Sequence, residues 1–203
     1  MNHSTPLVYI VDDNAAVRDS LLLLLKSVGL AGQAYASATE FLESYDPKQR
    51  SCLIADVRMP RMSGLDLQRE LKKQRAPIPI IFITGHGDVP MAVDAMKDGA
   101  LDFIEKPFRD QELLDRIQQA LSWDDEHRSD KLEALDLRER LATLTPRETE
   151  VMELVVQGKA NKVIALDLNV SQRTVEIHRA RVMEKMDMRS LAELVRAVEK
   201  IKA

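Results

Sequence analysis

The 203-residue sequence contains a single cysteine, Cys52, so no disulfide can close within the chain. It lies in the apolar run Cys52-Leu53-Ile54-Ala55, where a thiol reads as a small buried hydrophobe. No apolar run approaches the length of a membrane span, and the N-terminus lacks a basic segment followed by an apolar one. The expectation is a soluble protein with a cytoplasmic address and no membrane partner. None of the four histidines has metal-ligand spacing, and there is no internal repeat or low-complexity tract. What is present is 45% hydrophobic residues, too many for a disordered chain, at a length that suits one large domain or two small ones. The formal net charge of -4 is uneven: residues 142–203 carry 11 Lys/Arg against 9 Asp/Glu, and the remainder carries 18 against 24. That mildly basic end hints only weakly at a polyanion partner.

The first part alternates short apolar strands with amphipathic helices. Residues 7–11 form a continuous apolar run, as in a strand buried on both faces. Val17, Leu21, Leu24, Leu25 and Val28 then recur at helical spacing, and Gly29 ends that helix. Further strands are expected over 33–36, 52–55, 79–84 and 102–105, each followed by a helix. Asp88 is the expected N-cap of the fourth helix, with Pro90 tolerated in its first turn. Five such units imply a doubly wound parallel sheet. The chain divides into a domain over 1–123, a charged helical linker over 124–141, and an all-helical domain over 142–203. Leu132, Leu135 and Leu137 give the linker apolar positions, but the repeat is too short to establish a coiled coil.

Polar residues follow successive strands: Asp12 and Asp13 after the first, Asp56 after the third, Thr84 at the end of the fourth, Lys106 after the fifth. The strand ends of a parallel sheet share one edge, where ligands bind. Each piece alone has an ordinary reading as a turn or cap; together they point to chemistry. Three clustered carboxylates require a cation, and an all-oxygen site suits Mg²⁺. The ion and Lys106 would neutralise a phosphoryl group moving onto Asp56, the nucleophile, with Thr84 bonding a phosphoryl oxygen.

The strings Val11-Asp12-Asp13-Asn14, Asp56-Val57-Arg58-Met59-Pro60 with Ser63-Gly64-Leu65, Thr84-Gly85-His86-Gly87-Asp88, and Asp102-Phe103-Ile104-Glu105-Lys106-Pro107-Phe108 resemble the CheY-like receiver domain. The last two strings resemble the FixJ branch of the FixJ/NarL class. The resemblance implies strand order 2-1-3-4-5 and makes Asp56 the phosphoacceptor. It implies Mg²⁺ held by Asp12, Asp13, Asp56 and the backbone carbonyl of Arg58, with Asp12 acting through water. Thr84 and Phe103 would be the switch pair, Lys106 would contact the phosphate, and Lys106-Pro107 would be cis. Residues around Val89, Val93 and Met96 are expected either to form a dimer face or simply to pack on the sheet.

In the last part, Thr145 caps a helix with Pro146 first and Glu148 third. Short helices follow over 161–167 and 171–186, and a last one starts at Ser190. The strings Leu144-Thr145-Pro146-Arg147-Glu148-Thr149-Glu150-Val151, Asn161-Lys162-Val163-Ile164-Ala165, and Arg173-Thr174-Val175-Glu176-Ile177-His178-Arg179 resemble the LuxR/NarL-type helix-turn-helix. At 100° per residue, Val175, Val182 and Met186 face inward. Glu176, Ile177 and Ala180 are the expected base readers, with Arg173 at the edge. Lys162, Ser171, Thr174, Arg181 and Lys185 are phosphate candidates, and His178 is either another or a half-buried histidine. Arg179 projects nearer the buried side, where an ion pair with Glu148 or Glu150 is expected ahead of a base contact. Leu191, Leu194, Val195 and Val198 form a stripe, much of it core, part of which the resemblance assigns to pairing domains on two half-sites.

The leading reading is a phosphorylation-controlled transcription regulator, an activator. Its expected partners are a sensor histidine kinase, promoter DNA, RNA polymerase and, once phosphorylated, a second copy. It would be no enzyme beyond its own phosphorylation and dephosphorylation. The alternatives are an acyl- or aspartyl-phosphate hydrolase and a protein-interaction switch.

Overall fold

The computed structural model describes residues 5–76, 78–85 and 89–202. They form two compact units that divide at Ser129 and Asp130.

In the first unit five strands, β1 (Leu7–Val11), β2 (Ala31–Tyr35), β3 (Ser51–Asp56), β4 (Ile80–Thr84) and β5 (Asp102–Glu105), pair in parallel in the order β2-β1-β3-β4-β5. Helices α1 (Ala15–Ser27), α2 (Ala38–Ser44), α3 (Gly64–Lys73), α4 (Val89–Lys97) and α5 (Asp110–Ala142) connect and follow them. Because side chains alternate along a strand, each central strand feeds two cores. Val8 and Ile10 meet Leu21 and Leu25 of α1 and Leu113 and Ile117 of α5. Tyr9 and Val11 point the other way, to Phe41 of α2, Leu67 and Leu71 of α3, and Ala95 of α4. The central strands β3 and β4 are buried at every position, as their unbroken apolar runs require. Cys52 is fully buried, and burial pushes its thiol well above the usual range.

Helix α5 runs unbroken for 33 residues. No glycine or proline lies between residues 108 and 145 to stop it. Its last turns belong to the second unit: Leu137 is 5% exposed and sits in a core with Val151, Ile164, Val175, Val182, Met186, Leu194 and Val198. The other members of that unit are α6 (Pro146–Val156), α7 (Asn161–Asp167), α8 (Gln172–Met186) and α9 (Leu191–Lys202). Thr145 and Glu148 close a capping box on α6, and Ser171 accepts the Thr174 amide to cap α8. Gly158 turns the chain after α6 at φ +81°, a conformation that side chains resist. The expected cap Asp88, with His86 and Gly87, lies outside the described residues.

Candidate functional site

At the carboxyl edge of the sheet, Lys106 Nζ lies 3.0 Å from Asp12 Oδ2 and 3.0 Å from Asp56 Oδ1. Parallel topology brings together these residues, which lie 94 and 50 positions apart. The second oxygen of each carboxylate also has a donor: Arg58 N–H donates to Asp56 Oδ2 at 2.8 Å, and Asn14 N–H to Asp12 Oδ1 at 2.8 Å. Asp12 is 1% exposed and Asp56 8%. Burial raises the Asp56 carboxyl above its ordinary value, against the opposing pull of Lys106. Burial disfavours the Lys106 cation, but its bonds to Asp12 and Asp56 outweigh this and hold its affinity for the proton above the usual lysine range.

Two carboxylates, not three, share this lysine. Asp13 is exposed, and among the described residues no three His, Cys, Asp or Glu side chains form a metal-sized group. Thr84 is buried at the end of β4, and its carbonyl accepts the Lys106 N–H at 2.7 Å. Phe103 is half-buried, with its ring centroid 6.5 Å from that of Phe82. The Lys106-Pro107 bond is cis. On α4, Val93 and Met96 are 42% and 45% exposed, whereas Met91 packs on the core; the Val89 side chain lies outside the described residues.

Two contributors escaped the sequence reading. Arg18 Nη1 donates to the Asp12 carbonyl at 2.7 Å, holding the turn from above the start of α1. Gly64 starts α3 so close to β3 that a Cβ there would stand 2.3 Å from the Asp56 carbonyl oxygen. Ser63-Gly64 belongs to the receiver-like strings of the sequence, but its contact with Asp56 is legible only in the fold.

In the second unit, Arg173, Glu176, Ile177, Ala180 and Arg181 are exposed along one side of α8, with Lys162 exposed on α7 and Ser171 at the α8 cap. Arg173 Nη1 lies 3.7 Å from Glu176 Oε2. The Thr174 and Ser171 hydroxyls are bonded to each other at 2.8 Å. His178 is half-buried, and among the described residues its Nδ1 has no hydrogen-bond partner.

Three expectations require correction. Arg179 does not pair with Glu148 or Glu150; its Nη1 donates to Asn161 Oδ1 at 2.7 Å. Glu148 takes Lys185 instead, at 2.6 Å, and Glu150 takes Arg147. Lys185, expected at phosphate, is thus committed to a buried carboxylate and to the Thr143 carbonyl at 3.1 Å. Leu194, expected in a pairing stripe, is 1% exposed and fills the unit's own core with Val198. Leu191 is 41% exposed and Val195 partly so. Helical periodicity gives the side of a residue but not the reach of a long cationic side chain, nor how much of an apolar stripe its own domain consumes.

Comparison with known families decides what these two sites belong to. The family described as response regulator receiver domain matches residues 8–118, and that of bacterial regulatory proteins of the luxR family matches residues 142–198. This chain is a two-component response regulator. The response regulator protein TodT of Pseudomonas putida is 46% identical over 202 residues, covering 100% of this chain and 89% of TodT. The transcriptional regulatory protein FixJ of Rhizobium meliloti is 49% identical over 189 residues, covering 93% of each. Among solved structures, response regulator StyR superposes with a TM-score of 0.61 at 45% identity, covering 97% of this chain and 100% of that one. Full-length FixJ from B. japonicum gives 0.55 at 43% identity, covering 97% of both. A response regulator with a luxR-type DNA-binding domain regulates transcription; it is not a typical enzyme, which sets aside the metabolite hydrolase. Among the described residues, no helix is long and apolar enough to cross a membrane.

Proposed function

We propose that this response regulator acts in the cytoplasm and takes a phosphoryl group on Asp56 from a sensor histidine kinase, and that this controls its dimerisation and its binding to promoter DNA. The observation that carries the reading is Lys106 seated 3.0 Å from both Asp12 and Asp56. A carboxylate oxygen of Asp56 attacks phosphorus, the P–N bond to the kinase imidazole breaks, and the electron pair returns to the ring, which leaves as neutral imidazole carrying the proton already on its other nitrogen. Lys106 then follows the new charge to the phosphoryl oxygens. Mg²⁺ fits the donor set, because two buried carboxylates against one ammonium leave an excess of negative charge among oxygen ligands. Asp13, Asp56 and the Arg58 carbonyl would hold it, with Asp12 acting through water. When bound, the ion neutralises charge on the transferring group.

The switch runs through Thr84 and Phe103. Phosphoryl on Asp56 draws the Thr84 hydroxyl towards it, Phe103 turns into the space released, and the exposed Val93 and Met96 become part of a dimer face. On DNA, Glu176, Ile177, Ala180 and Arg173 read base edges, while Lys162, Ser171, Thr174, His178 and Arg181 face phosphates. Leu191 and Val195 supply contact between paired domains, and the bound dimer activates transcription through RNA polymerase.

The test is selection from a random-sequence DNA pool at fixed salt. It compares the protein with Mg²⁺ and beryllofluoride, the protein with Mg²⁺ alone, and Asp56→Asn with both. The expected result is a two-fold symmetric motif strengthened by beryllofluoride only when Asp56 is present. Equal enrichment in all three refutes control through Asp56, and no enrichment in any refutes sequence-specific DNA binding.

A further inference from the structure

We infer that Arg179 is a positioning residue for DNA reading, holding the recognition helix α8 in register against α7 through Asn161. The inference rests on the DNA-binding reading of these two helices.

Arg179 follows Val175 by four residues and precedes Val182 by three, so it leaves α8 on the side of the buried residues. It is half-buried, and its Nη1 reaches across to Asn161 Oδ1, the first residue of α7, at 2.7 Å. The other end of that bond is equally committed. The N-cap of α7 is Ala160, which offers no side-chain cap, and Asn161 spends its carbonyl oxygen on Arg179 rather than on its own helix.

The position of this bond along α8 matters. Val175, Val182 and Met186 bury α8 in the core, but apolar contact is non-directional and lets a helix turn or slide by a few tenths of an ångström. Polar ties hold the C-terminal end, among them Lys185 to Glu148 and Arg140 Nη1 to the Met186 carbonyl at 3.0 Å. Arg179 acts in the middle, between Glu176, Ile177 and Ala180 on the exposed side. Base hydrogen bonds fail over small errors of distance and angle, whereas contacts of flexible cations with phosphate do not. A residue that sets depth and roll at this point therefore governs discrimination between sequences more than total affinity.

Full-length protein, its own selected DNA motif and a scrambled duplex of the same length provide the test. Arg179→Ala should lower the ratio of specific to scrambled affinity at least tenfold, which is about 1.4 kcal/mol. Affinity for the scrambled duplex and the salt slope on it should stay unchanged, because no phosphate contact is lost. Asn161→Ala should lose as much, and the double variant no more than either. Asn161→Asp, which keeps an acceptor for the guanidinium, should retain discrimination. That rescue also keeps the inference testable if Arg179→Ala folds poorly. Equal weakening on both duplexes with a salt slope lower by about one would make Arg179 a phosphate contact and overturn the inference, as would unchanged discrimination in Arg179→Ala or Asn161→Ala. If the wild-type protein selects no motif, the DNA-binding reading itself falls; if it selects one and the variants select it equally well, only the positioning role falls.

Discussion

Glu148→Gln should remove a pH-dependent tie inside the DNA-binding unit. Glu148 is 2% exposed, and its Oε2 accepts the Lys185 ammonium at 2.6 Å and the Thr145 N–H at 2.9 Å. It thereby joins the start of α6 to the last turn of α8. The Lys185 bond and the Thr145 amide lower its carboxyl from 4.5 to about 2. Because the folded value lies below the unfolded one, the stabilisation is complete above pH 4.5 and is lost as pH falls towards 2. The shift corresponds to about 3 kcal/mol at neutral pH, reduced to about 2 because Lys185 is one-third exposed and partly screened. Urea unfolding of the full chain followed by far-UV circular dichroism, with hydrogen exchange of peptides from residues 146–186, measures the effect in place. The variant should lose about 2 kcal/mol at pH 7, and less than half of that at pH 3. A loss below about 0.5 kcal/mol at pH 7, or one of the same size at pH 3, would refute the reasoning.

Gly64→Ala drives a methyl group to 2.3 Å from the Asp56 carbonyl oxygen, and should cost about 1–3 kcal/mol while slowing phosphorylation of Asp56 by a small acyl phosphate; wild-type stability and rate together would contradict that contact. Leu194→Ala should cost about 2–5 kcal/mol in urea unfolding as a cavity-forming change. Leu191→Ala should stay within about 0.5 kcal/mol yet weaken binding to paired half-sites more than to a single one, and the opposite ranking would return Leu194 to a pairing surface. Thr84→Ala should still accept phosphate, but sedimentation should find no dimer on phosphorylation; a phosphorylation-dependent dimer would break the proposed coupling.

Local chemistry determined a good deal of this protein. The unbroken apolar runs of β3 and β4, the capping box at Thr145 and Glu148, and the absence of glycine or proline through α5 are read residue by residue, because backbone preference and burial pattern act over a few positions. The gathering of Asp12, Asp56 and Lys106 was also legible, since parallel βα units allow the strand ends only one common edge. Tertiary structure decided matters of reach and supply. Strand β2 runs Ala31–Tyr35, two residues earlier than its weak apolar signal suggested, because register against β1 sets an edge strand. Lys185 rather than Arg179 answers Glu148, Asn161 answers Arg179, and Leu194 is consumed by its own core. A long cation can meet any acceptor that the fold brings within several ångströms, and an apolar stripe does not record which neighbour covers it. Both depend on the distance between helices, which no local pattern in the chain encodes.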